Sequence, residues 1–242
     1  GTSRRCGRRW AAGWTLSVLA SQYWGKGDTD SINRCMGVSL YAGLIIAVSV
    51  AAVLFFFPLH VMALVTNNDL LIELGAPYLR IVGLSYIFNT ISSVYIGMQR
   101  STENPAMGMI VFGISMLTNT GLNYILIFGK FGAPALGVAG AAVATLIARV
   151  IEVCLMLTYV YTRKMPIACG FSGLFGWPSA FVKTFVLTSA PVIANEFMWG
   201  LGTTMYSLAY GRMGDEAVAA ITIATTIQDI VVVLFQGLSA AT

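Results

Sequence analysis

Apolar residues fill this chain in long, nearly unbroken stretches: Met36 to Val65, Leu70 to Met98, Ala106 to Phe128, Gly137 to Tyr161, Ala180 to Tyr210, and Ala217 to beyond Phe235. A helix rising about 1.5 Å per residue needs about 20 residues to cross about 30 Å of hydrocarbon, and each stretch meets or approaches that length. Six spanning helices are therefore predicted. Ala11 to Trp24 is too short to cross alone and reads as the tail of another helix. Strands of a membrane barrel would show alternating segments of about 10 residues, whereas these runs are continuous, so the fold class is all-α, a polytopic transmembrane helix bundle. Turn chemistry separates the runs: "GKGDTD", "TNND", "QRSTENP", "GKFGAP", "YTRKMP" and "GRMGDE". "GKGD" lacks the spacing and the Ser or Thr of a phosphate-binding loop.

Composition agrees with a membrane interior. Hydrophobic residues make up 57% and charged residues 10%, with mean hydropathy +0.78, against about 25% charged in soluble domains. Alternate loops carry Lys26 and Arg34, then Arg100, then Arg163 and Lys164, with Lys183 opening the next span; the others hold only Lys130 and Arg212. The richer set is expected on the cytoplasmic side. Arg4, Arg5, Arg8 and Arg9 break this pattern and account for the whole formal net charge of +4. Residues 1–9 read as a non-native or artefactual leader. No signal peptide is read there, because the following apolar run ends in "SQYWGKGD" rather than at a small-residue cleavage site.

Cys6, Cys35, Cys154 and Cys169 form no CxxC or Cys/His ligand pattern, so free apolar thiols and no metal are expected. His60, after "FFFPL", reads as an interfacial residue rather than a proton-linked one. No HExxH, GxSxG or paired-aspartate motif appears, so an enzyme is not expected.

Polar residues inside the spans carry more information, since in hydrocarbon each must face the bundle or a wet cavity. Positions three, four and seven apart share a helical face. From Glu196 that face carries Trp199, Gly200, Thr203, Ser207 and Tyr210; the next span aligns Thr222, Thr225, Thr226, Asp229 and Gln236. Earlier spans add Ser85, Asn89 and Ser92, then Ser115, Asn119 and Asn123. These stripes are expected to face a shared cleft. Helix-to-helix hydrogen bonding is the competing account for Asn119, Asn123 and the hydroxyl residues. It is weaker for Glu196 and Asp229, which have no basic residue one turn away.

In "GVAGAAVATLIARVIE", Gly137, Ala141 and Thr145 lead at four-residue spacing to Arg149, and Gly140, Ala144 and Ala148 lead likewise to Glu152. Two stripes of small residues predict close helix packing. Arg149 and Glu152, three apart, are expected to form a structural ion pair on their own helix.

"SVLASQYWGKGD", "YLRI" (Tyr78 to Ile81), "LNYILIFGKFGAPALGVAGAAVATLIAR" (Leu122 to Arg149), and the "P…NE…WGLG" and "GRMGDEAVAA" stretches together resemble the multidrug and toxic compound extrusion (MATE) family. The resemblance runs from about Ser17 to the last residue. It implies twelve transmembrane helices in two six-helix lobes, a multi-pass plasma-membrane protein, monomeric at full length, that antiports Na⁺ or H⁺ against organic cations or other drugs. No cofactor beyond that coupling ion and no nucleic-acid partner is expected. The chain would cover the end of helix 2 through helix 8: residues 10–162 as the N-terminal lobe without its first helix, 163–179 as a cytoplasmic interfacial linker, and 180–242 as the start of the C-terminal lobe.

Many members carry an essential acidic residue in the seventh helix, and Glu196, after Pro191, lies in the matching helix. The resemblance therefore points to Glu196 for cation coupling or substrate binding, with Asn195, Trp199, Thr203, Asp229, Asn119 and Asn123 as further candidates. A carboxylate in a low-dielectric cavity can exchange a proton for a cation, and aromatic rings such as Trp199, Tyr206 and Tyr210 can hold a lipophilic cation on their faces. The alternative is a lipid-linked oligosaccharide flippase of the same superfamily. An anionic headgroup calls for more basic residues in the cavity, where only Arg80 and Arg149 are candidates.

Overall fold

The computed structural model describes residues 20, 23–65, 68–101, 105–132, 134–163, 165 and 177–241. The expected leader at 1–9 and most of the partial helix before Trp24 lie outside the described residues, as does most of the expected linker at 163–179.

Seven helices are bounded within the described residues, in order: α1 (Thr29–Phe56), α2 (Pro58–Val65), α3 (Asp69–Ser101), α4 (Pro105–Phe128), α5 (Gly137–Thr162), α6 (Ser179–Met213) and α7 (Asp215–Ala241). Asp28 caps α1: the Ser31 hydroxyl donates to its Oδ2 at 2.6 Å and the Ser31 amide to its Oδ1 at 3.0 Å. Such a cap satisfies an amide that the first helical turn leaves free. The single span expected from Met36 to Val65 is divided at Phe57, because Pro58 has no N–H and disfavours a helical residue before it. A short 3-10 turn at Lys130–Gly132 then reverses the chain between α4 and α5.

By length and composition, four described helices can cross a membrane: α1, α3, α4 from Ala106, and α5. The expectation was six. At 35 residues α6 is long enough, but Ser189, Pro191, Asn195 and Glu196 interrupt its apolar character; α7 is 27 residues long, and its described side chains include the apolar stretch Val218–Val233. Large apolar side chains such as Leu117 and Leu187 are exposed on the helix surfaces, as lipid contact requires.

The helices pack in the order α1, α3, α5, α4, with α2 against α3. Paired positions rise together between α3 and α5, Ser92 with Glu152 and Gln99 with Met156, so these two run parallel. Between α4 and α5 they run in opposite senses, Ser115 with Ala148 and Asn119 with Thr145. The core gathers at one end of the bundle, where Ile32, Cys35 and Met36 meet Tyr95, Met98, Met156 and Val160. Phe181 and Phe185 at the start of α6 pack on it, and α6 in turn packs on α7.

Candidate functional site

Small residues decide where α4 and α5 touch. Gly140, Ala144, Ala148 and Glu152 form a stripe buried throughout its length. The second stripe, Gly137, Ala141, Thr145 and Arg149, is only half-buried. Its last two members, Thr145 and Arg149, border a cavity of 280 Å³ between α4 and α5, whose wall combines the apolar Phe112, Met116 and Ala148 with the polar Ser115, Asn119, Thr145 and Arg149.

The polar wall is held by a chain of hydrogen bonds. Asn123 Nδ2 donates to Asn119 Oδ1 at 3.0 Å, Asn119 Nδ2 to Thr145 Oγ1 at 3.4 Å, and Thr145 Oγ1 to the Ala141 carbonyl at 2.9 Å. Ser115 Oγ donates to the Ala148 carbonyl at 3.3 Å. The buried Oδ1 of Asn123 has no partner among the described residues.

Arg149 is the charged member of the wall. Its Nη1 donates to Glu152 Oε2 at 2.7 Å, with side chains 29% and 2% exposed respectively. Glu152 is the sole charged side chain among the buried described residues, and its other oxygen, Oε1, accepts a hydrogen bond from Ser92 Oγ on α3. Carboxylates so deep in apolar surroundings require this pairing. The Ser92 contact was not foreseen from the sequence. Its signal was a serine and a glutamate on otherwise apolar helices, without any indication that α3 and α5 pack side by side.

The candidates on α6 and α7 lie elsewhere. Asn195, Glu196, Thr203 and Asp229 are exposed, and Trp199 is 70% exposed. Among the described residues no hydrogen bond or ion pair reaches the carboxylate of Glu196 or Asp229. Thr203 bonds back to the carbonyls of Trp199 and Gly200 on its own helix, and Tyr206 stacks on Tyr210 with ring centres 6.4 Å apart. The structure thus brings Asn119 and Arg149 to one cavity, with Asn123 hydrogen-bonded to Asn119 behind it, and Glu196 and its neighbours do not line that cavity. Of the cysteines, Cys35 is buried and Cys154 exposed, both free; Cys6 and Cys169 lie outside the described residues.

The sequence profile of the MatE family matches residues 10–125. The chain is 26% identical over 208 residues to the uncharacterized transporter YisQ of Bacillus subtilis, covering 83% of this chain and 44% of that protein. It is 34% identical over 158 residues to the multidrug resistance protein MdtK of Edwardsiella ictaluri, covering 62% of this chain and 33% of that protein. Its fold superposes on a MOP superfamily transporter from Pyrococcus furiosus with a TM-score of 0.72 at 19% identity, covering 88% of this chain and 46% of that one. The chain therefore spans a third to a half of the length of these proteins. Apolar helices, the four-helix packing of α1, α3, α5 and α4, and the agreement of profile, relatives and fold all point one way: over residues 10–125 the chain matches the MatE family profile, and it is similar to transporters of the multidrug and toxic compound extrusion (MATE) family.

Proposed function

We propose that this chain works in a secondary active multidrug efflux transporter of the plasma membrane, antiporting Na⁺ or H⁺ against organic cations or other small-molecule drugs. The observation that carries the reading is the cavity between α4 and α5, where amide and hydroxyl groups are gathered inside otherwise apolar membrane helices. A wall that joins three apolar side chains to four polar ones suits ligands that pair a hydrophobic body with a polar or charged group. Similarity to a multidrug resistance protein supports the substrate class. In this reading Asn119 and Asn123 contact substrate or coupling ion in one half, while Glu196, Asp229, Asn195, Trp199 and Thr203 offer carboxylate, amide, ring and hydroxyl groups on α6 and α7. Alternating access would come from one helix bundle rocking against another.

The flippase alternative is weaker, because of its two basic candidates Arg149 is already paired with Glu152 and Arg80 is exposed on α3. The test is efflux of a fluorescent organic cation from proteoliposomes holding the protein expressed from its own gene. Efflux driven by an imposed Na⁺ or H⁺ gradient is expected; loss of dye at the same rate with and without a gradient overturns the proposal.

A further inference from the structure

Arg149 puts a full positive charge in the wall of the α4–α5 cavity. In a low-dielectric interior such a charge repels a cation strongly. Glu152 does not line the cavity, yet both its oxygens are engaged: Oε2 by Arg149 and Oε1 by Ser92 from the neighbouring helix. Two helices therefore fix the carboxylate, and the carboxylate fixes the guanidinium. We propose that Glu152 is a specificity-determining residue: by neutralising Arg149 from behind the wall, it makes the cavity accept lipophilic organic cations rather than anions. The proposal rests on the transport reading above, in that it assumes this cavity receives substrate.

The charge arithmetic makes the idea separable from simple packing. With both residues present the pair is neutral and acts on a ligand only as a dipole. Without the carboxylate the wall carries one unpaired positive charge, and without both side-chain charges it is neutral again. A mere packing clamp would loosen or tighten cationic and anionic ligands together. A charge filter moves them in opposite directions.

Tetraphenylphosphonium and tetraphenylborate have the same shape and opposite charge, and their binding is measured by equilibrium dialysis against the protein in lipid nanodiscs, with empty nanodiscs subtracted. Glu152→Gln is expected to weaken tetraphenylphosphonium binding about tenfold and strengthen tetraphenylborate binding by a similar factor. The double variant Arg149→Gln/Glu152→Gln should return both to within about threefold of the unaltered protein. If Glu152→Gln does not fold, Arg149→Gln carries the test in reverse, with tetraphenylborate weakened about tenfold relative to tetraphenylphosphonium. Tetraphenylphosphonium binding that ignores these charge changes, or variants that move both ions alike, overturns the proposal and leaves the transport reading standing. Unaltered protein that binds neither ion above the empty-disc level overturns both.

Discussion

Gly140 on α5 lies against the main chain of Leu126 on α4, so closely that a Cβ at Gly140 would sit 2.6 Å from the Leu126 carbonyl oxygen and 2.8 Å from its carbon. The same carbonyl accepts the Leu136 amide at 2.9 Å, which fixes the chain where it enters α5. A backbone contact cannot swing aside as a flexible side chain can. This approach sets the spacing of α4 and α5, and with it the width of the cavity further along the two helices.

Gly140→Ala should therefore destabilise the protein by about 1–3 kcal/mol, the range for overpacking a fitted contact. Gly113 on α4, where a Cβ would meet nothing within 4 Å, is the control. There alanine should be neutral or stabilise by about 0.5–1 kcal/mol, because glycine weakens a helix interior. Thermal unfolding in detergent compares the two. Equal melting temperatures for both variants would show that the helices can part without cost.

Ser92→Ala removes the hydrogen bond to Glu152 Oε1 and leaves a buried carboxylate oxygen unsatisfied. Bonds to charged groups contribute about 1.5–3 kcal/mol, so a loss of that size is expected. Thr120→Ala, whose hydroxyl is exposed and only bonds back to Met116 on its own helix, should change stability little. A Ser92→Ala protein as stable as the Thr120→Ala protein would mean that Glu152 finds its partners without α3.

The difference between Ser92 and Arg149 shows what sequence could and could not tell. Arg149 and Glu152 were legible as a pair because three-residue spacing on a helix places them side by side whatever surrounds them. Ser92 lies 60 positions from Glu152. Which helices become neighbours is decided by packing across the whole bundle, and a polar stripe on one helix does not name the helix it faces. The apolar runs gave α3, α4 and α5 nearly to the residue, since hydropathy tracks membrane burial directly. They missed the break at Pro58, where hydropathy continues although the backbone cannot. Hydropathy is also silent on where each polar face lies: Asn119 on α4 lines a cavity, and Glu196 on α6 is exposed.

The pH behaviour of the start of α1 follows from Asp28. Hydrogen bonds from the Ser31 side chain and then the Ser31 amide, with help from the charge of Arg34, hold its carboxyl below the ordinary value of 3.8. A group whose acidity rises on folding stabilises the folded helix end above its ordinary value, and that contribution disappears as pH falls through the lowered one. Hydrogen exchange at the Ser31 amide should consequently lose protection at acidic pH. Asp28→Asn still caps but does not titrate, so it should flatten the profile. A profile that stays the same after that substitution would assign the acid sensitivity to another group.

Glu196 and Asp229 separate a coupling role from a structural one. Both carboxylates are exposed on the described surface of the last two helices, and no ion pair or hydrogen bond reaches either among the described residues. A group without structural partners can be neutralised at little cost to folding, so Glu196→Gln, which keeps the shape and removes the charge, should leave the amount of folded membrane protein unchanged. If Glu196 carries the coupling ion, gradient-driven efflux of a fluorescent organic cation from proteoliposomes should fall at least about tenfold, since the amide can neither release a proton nor attract Na⁺ with a full charge. Asp229→Asn is the matched comparison, one helix later on a similar polar face. Efflux at the unaltered rate in Glu196→Gln but not in Asp229→Asn would move the coupling site to α7. Unaltered rates in both would place coupling outside α6 and α7, with the amide cluster of Asn119 and Asn123 as the next group to neutralise.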